Sequence, residues 1–249
     1  MPQIRYTATV GKKFYPDGRV RTHPGVTIIC FTDPSSEFYT AGQWVQEQFS
    51  ELSLAAKYTM LPADSFHMTV FSLIIYEIPH PNYWARDLPL TATLEEGDQF
   101  FIERVKRVER PGNFEMRFKT LGGDDGLSMI LVPANVSTHD ALWRYRQRLV
   151  EYTGVRYPDH AEYEFHMSLA YKIIQLTPEE EHQRLSFLQA TSDHLRRTLG
   201  VFDTDAPYLT FFDDMFKFVK TEDRLTLPVR MAQRQRILQQ QSQGNKGSP

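Results

Sequence analysis

The sequence predicts an α+β fold built from two pseudo-symmetric lobes of antiparallel sheet with flanking helices, and three observations carry that prediction. Short apolar or alternating runs, the mark of strands, are interleaved with longer runs whose apolar residues recur at helical spacing. The order strand, helix, strand, helix is met twice along the chain. The second strand of each round opens on nearly the same words, Phe66-His67-Met68-Thr69-Val70 and Phe165-His166-Met167-Ser168-Leu169, with the histidines 99 residues apart.

The elements follow in order. A first strand is expected at about 26–31, within Val26-Thr27-Ile28-Ile29-Cys30-Phe31. Pro34-Ser35-Ser36-Glu37 opens a helix that places Phe38, Ala41, Trp44, Val45 and Phe49 at helical spacing. After a Pro62-Ala63-Asp64-Ser65 turn the first histidine segment starts a strand to about Ile75; Pro79, Pro81 and Pro89 then impose a loop before a helix from about Leu94 to Val105. In the second half, Phe114 to Lys119 alternates as a half-buried strand, and Leu121-Gly122-Gly123-Asp124-Asp125 turns the chain into a strand from Gly126 to Val132. Ser137 to Tyr152 reads as a helix with a hydroxyl cap. The second histidine strand runs to about Ile174, and Thr177-Pro178-Glu179-Glu180 combines a cap, a first-turn proline and acids at the positive dipole end of a helix reaching about Leu199. Strands at 208–212 and 216–219 complete the domain, and Gln239 to Pro249 are polar and expected to be unstructured.

The chain thus divides into an N-terminal basic arm (1–25), one bilobal domain (26–225) and a polar C-terminal tail (226–249). At 41% hydrophobic and 24% charged residues over 249 positions it can bury a sizeable core. A net charge of −3 speaks against coating long nucleic acid but leaves room for a local basic pocket. Arg5, Lys12, Lys13, Arg19 and Arg21 cluster near the start, and Arg224, Arg230, Arg234, Arg236 and Lys246 near the end. Such runs read as solvated termini, with basic arms beside an anionic substrate as the other reading. The single cysteine, Cys30, lies within a strand as a core residue and forms no internal disulfide, which fits a reducing compartment. With no signal-like or membrane-spanning stretch, a cytoplasmic monomer away from membranes is expected.

Within each histidine segment the side-chain period of two puts His67 with Thr69, and His166 with Ser168, on one face, while Met68, Val70, Met167 and Leu169 face the core. Two imidazoles and two hydroxyls suit a phosphodiester: one histidine removes a proton from water, the other protonates the leaving oxygen, and the hydroxyls donate to the non-bridging oxygens. His166 is assigned the base and His67 the acid, the near-symmetry leaving the reverse almost as good. The same period puts Lys172 beside His166 to neutralise phosphate and Phe71 beside His67 to stack on a base. Tyr171 faces away unless a bulge brings it in. His23 reads as a loop histidine, with the cleft as its other place.

His-x-Thr and His-x-Ser, once in each half of a bilobal α+β chain, resemble the paired motifs of the 2H phosphoesterase superfamily. Lys13-Phe14-Tyr15-Pro16-Asp17-Gly18, Pro24-Gly25-Val26-Thr27 and Ser65-Phe66-His67-Met68-Thr69-Val70-Phe71 are similar to an uncharacterised bacterial and fungal subgroup. The resemblance extends over roughly 25–220. It implies a pseudo-two-fold that brings both motifs to one cleft, His67 and His166 as catalytic residues, and Thr69 and Ser168 as phosphate ligands. It further implies a hydrolase acting, without metal or cofactor, on a cyclic or 2′/3′-linked nucleotide or RNA-end phosphodiester. Substrate choice is expected to lie in the loops at 76–92 and 153–164 and in the termini.

Two other readings compete. A metal hydrolase lacks any His-x-His, His-Glu-x-x-His or paired-cysteine signature, and Asp124-Asp125 and Asp213-Asp214 read as turn residues. A non-catalytic sensor of nucleotides or RNA ends on the same scaffold would retain both histidines and both hydroxyls.

Overall fold

A single antiparallel sheet runs through both halves of the chain. The computed structural model describes residues 4–124 and 126–244. In chain order the elements are β1 (Gly25–Phe31), α1 (Glu37–Ser50), β2 (Tyr58–Met60), β3 (His67–Ile75), α2 (Leu94–Val105), β4 (Glu115–Gly122) and β5 (Gly126–Pro133). They continue with α3 (Val136–Thr153), β6 (His166–Lys172), α4 (Pro178–Thr198), β7 (Val201–Asp203), β8 (Tyr208–Asp214), β9 (Lys217–Lys220) and α5 (Pro228–Gly244). Eight strands run in the order β7-β4-β5-β6-β3-β1-β8-β9, and β2 adds to β6. The fold is α+β, as the sequence predicts, and its lobes are the two halves of one sheet joined at β3–β6.

That junction is a local two-fold. Met68 of β3 pairs with Met167 of β6, so the β1–α1–β3 unit faces its counterpart β5–α3–β6 across the centre. Both methionines are buried, at 2% and 0% exposure, and α1 and α3 cover their side of the sheet. Each helix reaches over the seam, α1 packing on β6 and α3 on β3. Gly42 allows the close approach of α1, since a Cβ there would meet the Met167 methyl at 2.8 Å and the Phe66 ring at 3.0 Å.

Local chemistry explains most boundaries. Ser36 caps α1 by accepting from the Tyr39 N–H, and Thr93 and Thr177 form capping boxes with Glu96 and Glu180. The cap of α3 is Asn135, which accepts from Thr138 N–H, and not the hydroxyl that the sequence suggests. The helix begins one residue earlier in consequence.

The termini differ from the solvated arms expected of them. Residues 4–24 lie along the sheet: Tyr6 bridges to Ile174, the Thr7 and Thr9 hydroxyls donate to the Lys172 carbonyl, and Phe14 is fully buried against Tyr171 and Phe216. At the other end α5 is helical through Gly244, where an unstructured tail was expected. Arg230 anchors it, 3% exposed and paired with Asp98 at 2.6 Å and Asp213 at 2.7 Å. Lys246 and Asp125 lie outside the described residues. Cys30 is free and buried, and burial pushes its thiol up to about 12. No helix among the described residues is long and apolar enough to cross a membrane.

Candidate active site

His67 and His166 are the first residues of β3 and β6. Carrying the Met68–Met167 register one residue each way sets His67 opposite Ser168 and Thr69 opposite His166. Directly opposed residues have Cβ atoms about 4.5–5.5 Å apart, so the four side chains form one compact, two-fold-related cluster. They line a common cavity of about 470 Å³ on the face away from Met68 and Met167.

The two imidazoles are held alike. His67 Nδ1 lies 2.6 Å from the Ser65 carbonyl, and His166 Nδ1 lies 2.9 Å from the Glu164 carbonyl. A carbonyl only accepts, so each Nδ1 carries a proton and donates it. Each Nε2 is thereby left to take or give the second proton. The rings differ in surroundings. His67 sits 4.2 Å from the Phe218 ring, and burial pushes it down to about 4, opposed by its bond to the Ser65 carbonyl and reinforced by the nearby His166. His166 has the Tyr163 ring at 6.3 Å. The Tyr163 hydroxyl, hydrogen-bonded to the Thr69 hydroxyl, is pushed up to about 12 by burial and stays protonated at neutral pH.

One residue beyond each hydroxyl the strand bulges. In β3 the pairing with β1 skips Val70, and in β6 the pairing with β5 skips Leu169. A bulge reverses the side-chain alternation that follows, and this decides the fate of three expected site residues. Phe71 turns to the helix face and is buried there beside Arg146 and His160; the expectation that it flanks His67 in the cleft does not hold. Ser72 takes that place in the cavity wall. Lys172 likewise leaves the face of His166, its charge acting on Glu181 of α4, and does not line the cavity. Tyr171 enters instead, through the bulge that was its one route.

The bulge carbonyls are capped reciprocally. Gln46 of α1 donates to the Leu169 carbonyl at 2.7 Å and to the Leu61 carbonyl at 2.8 Å. Arg146 of α3 donates to the Val70 carbonyl at 2.6 Å. Each half therefore fixes the turn-over of the other half's motif strand. Arg146 is 2% exposed, has no carboxylate within salt-bridge distance among the described residues, and lies among the rings of Phe71, Trp143, Tyr163 and Phe165. Burial pushes its guanidinium down to about 10, and burial with the Arg146 charge pushes His160 down to about 4.

The remaining cavity wall comes from segments the sequence leaves uncertain. Lys12, Lys13 and Thr9 enter from the N-terminal segment, Tyr157 and Tyr163 from the 153–164 loop, and Ile78 from the 76–92 loop. His23 also lines it, 2% exposed, its Nδ1 3.0 Å from Glu77 Oε2; burial lowers it, opposed by the Glu77 hydrogen bond. Lys13 Nζ donates to the Tyr171 hydroxyl at 3.1 Å and stands 4.5 Å from its ring centre. No aspartate or glutamate lines the cavity among the described residues. Nor does any group of three or more His, Cys, Asp or Glu among them stand where it could hold a metal ion. Gln46, Arg146, Tyr163 and Ser72 are the site residues that the sequence reading did not single out, and Lys12 and Lys13 enter as the basic N-terminal arm of its other reading.

The fold has a counterpart among solved structures. The conserved protein of unknown function ATU0111 from Agrobacterium tumefaciens str. C58 has a similar crystal structure. The TM-score is 0.80 at 25% identity, over 87% of this chain and 92% of that one. TT0787 of Thermus thermophilus overlaps loosely, with a TM-score of 0.39 at 10% identity over 75% of this chain and 85% of that one. No curated protein matches. Residues 13–125, which include the first histidine segment, match the family model 2H-phosphodiest, described as a domain of unknown function (DUF1868).

Proposed function

We propose that the protein hydrolyses a cyclic or 2′/3′-linked nucleotide or RNA-end phosphodiester by general acid and base catalysis from two histidines. The observation that carries this reading is the matched pair of imidazoles. Each is fixed through Nδ1 on the carbonyl two residues back, beside a hydroxyl, in the wall of a cavity without carboxylates among the described residues.

His67 acts as the base, because burial keeps its Nε2 unprotonated at neutral pH. It takes a proton from water as the water oxygen attacks phosphorus. His166 donates its Nε2 proton to the departing oxygen as that P–O bond breaks, so the roles are the reverse of those first assigned from sequence. Thr69 and Ser168 donate to the non-bridging oxygens as charge gathers there, Thr69 being oriented by Tyr163. Each proton transfer contributes roughly 10²–10⁴-fold.

The test is turnover, in EDTA, of 2′,3′-cyclic mononucleotides, a cyclic-phosphate-ended RNA, a 2′-5′ dinucleotide and ADP-ribose cyclic phosphate. Wild type is compared with His67→Ala and His166→Ala. Hydrolysis of at least one substrate, lost by two or more orders of magnitude in both variants, is the expected result. Activity that survives either substitution overturns the mechanism, and binding without turnover moves the sensor reading ahead.

A further inference from the structure

The cavity wall reaches beyond the catalytic cluster and includes two lysines, Lys12 and Lys13. Lys12 and Lys13 stand on a tight turn in which the amides of Lys12, Lys13 and Phe14 all converge on the Thr9 carbonyl, with Gly11 at φ +85°. The turn is fastened below by the buried Phe14 and by the threonine bonds to Lys172. Neither lysine has a carboxylate within ion-pair distance among the described residues; Glu77, the nearby acid, is engaged by His23. In a chain of net charge −3, two unpaired ammonium groups in a wall free of acids form a local positive field that draws anions.

Their position separates them from the reacting phosphate. Lys13 is held at the tip of Tyr171, three residues beyond Ser168 on β6, with one of those residues taken up by the bulge. At about 3.3 Å per residue, the Tyr171 backbone lies roughly 7–10 Å along β6 from that of Ser168, and Lys13 joins the wall at the Tyr171 end.

We infer that Lys12 and Lys13 form a second anion subsite, and that the substrate is a phosphodiester bearing a further phosphate about one nucleotide unit from the bond that is cut. The inference rests on the two-histidine reading for the location of the scissile group, and the subsite itself is open to a binding test that needs no turnover. Tyr171 holds the Lys13 ammonium in place through its hydroxyl and ring face, and leaves its other N–H donors to the ligand.

The test compares calorimetric binding of a nucleoside 3′-monophosphate with that of the same nucleoside 3′,5′-bisphosphate. The proteins are wild type, the double variant Lys12→Met/Lys13→Met, and Lys13→Arg as a charge-retaining control. Wild type is expected to favour the bisphosphate at least tenfold, and the advantage is lost in the double variant and kept by Lys13→Arg. Equal affinity for both ligands in wild type, an advantage that persists in the double variant, or no binding of either ligand overturns the subsite. If the preference is found and depends on the lysines while no diester is hydrolysed, the subsite stands and the hydrolase reading falls.

Discussion

Replacing Gln46 by leucine tests whether the bulges of the histidine strands matter to the chemistry or only to the fold. The Gln46 side-chain amide donates to two carbonyls, those of Leu61 and Leu169. Each such bond contributes about 0.5–1.5 kcal/mol net, so losing both is expected to cost roughly 1–3 kcal/mol. The cost falls toward the lower end because the Leu169 carbonyl still accepts from the Leu61 N–H at 2.9 Å. The larger effect is expected on rate. Leu169 is the bulge residue next to Ser168, and a shift of about 1 Å in a phosphate ligand is enough for roughly 10²-fold. The assay is kcat/KM at a temperature well below unfolding, with urea midpoints alongside, for Gln46→Leu alone and combined with Ser168→Ala. A positioning residue loses 10- to 100-fold in the wild-type background and little once Ser168 is gone. The same fold loss in both backgrounds, or destabilisation without any loss of rate, would rule out a positioning role for Gln46.

Other consequences can be measured independently. Because burial holds His67 down to about 4, the acid limb of the kcat/KM profile is expected below pH 5; a limb near the ordinary imidazole value of about 6.5 contradicts a buried base. Stability also responds to acid. His67 and His160 are each pushed down to about 4 in the fold and protonate near 6.5 once unfolded, so between these values the unfolded chain binds more protons. Stability is therefore full above about pH 6.5 and falls as the pH drops towards 4, by at most about 1.4 kcal/mol per pH unit for each ring, with solvent screening reducing the share of the half-buried His67. Urea midpoints flat from pH 7 to 4 would count against this. Gly126→Ala is expected to be severely destabilising, because its Cβ would run into the Ala170 carbonyl across β5–β6; a melting temperature within a few degrees of wild type would mean that the two strands can part there at little cost.

Much of this was legible in the sequence, and the rest was hidden for identifiable reasons. Helices with apolar spacing and side-chain caps, such as α2 and α4, follow from local chemistry and end where the sequence says. The histidine segments stand out because their residue types and spacing repeat. The reversal of Phe71, Lys172 and Tyr171 follows from strand bulges, which strict alternation conceals. The trace was there, since each strand alternates through its His-Met-hydroxyl start and then breaks step with adjacent apolar residues, Val70-Phe71 and Leu169-Ala170. Charge misled the reading of both ends. Phe14, Val10 and Val20 are the apolar signal that the N-terminal segment packs, and Leu227-Pro228 is a helix start outweighed by the glutamine-rich run after it. Gln46 and Arg146 could not be foreseen, because their partners are carbonyls brought near only by the seam between halves.

The division of labour between the histidines is open to a single comparison in which the leaving group is changed. Hydrolysis of a nucleoside p-nitrophenyl phosphodiester, whose phenolate departs without protonation, is compared with that of the best nucleotide substrate for wild type, His67→Ala and His166→Ala. With His166 as the acid, its alanine defect of roughly 10²–10⁴-fold largely disappears on the p-nitrophenyl ester, while the His67→Ala defect persists on both. The opposite pattern would make His166 the base, and defects of equal size on both substrates in both variants would do away with the separation of acid and base altogether.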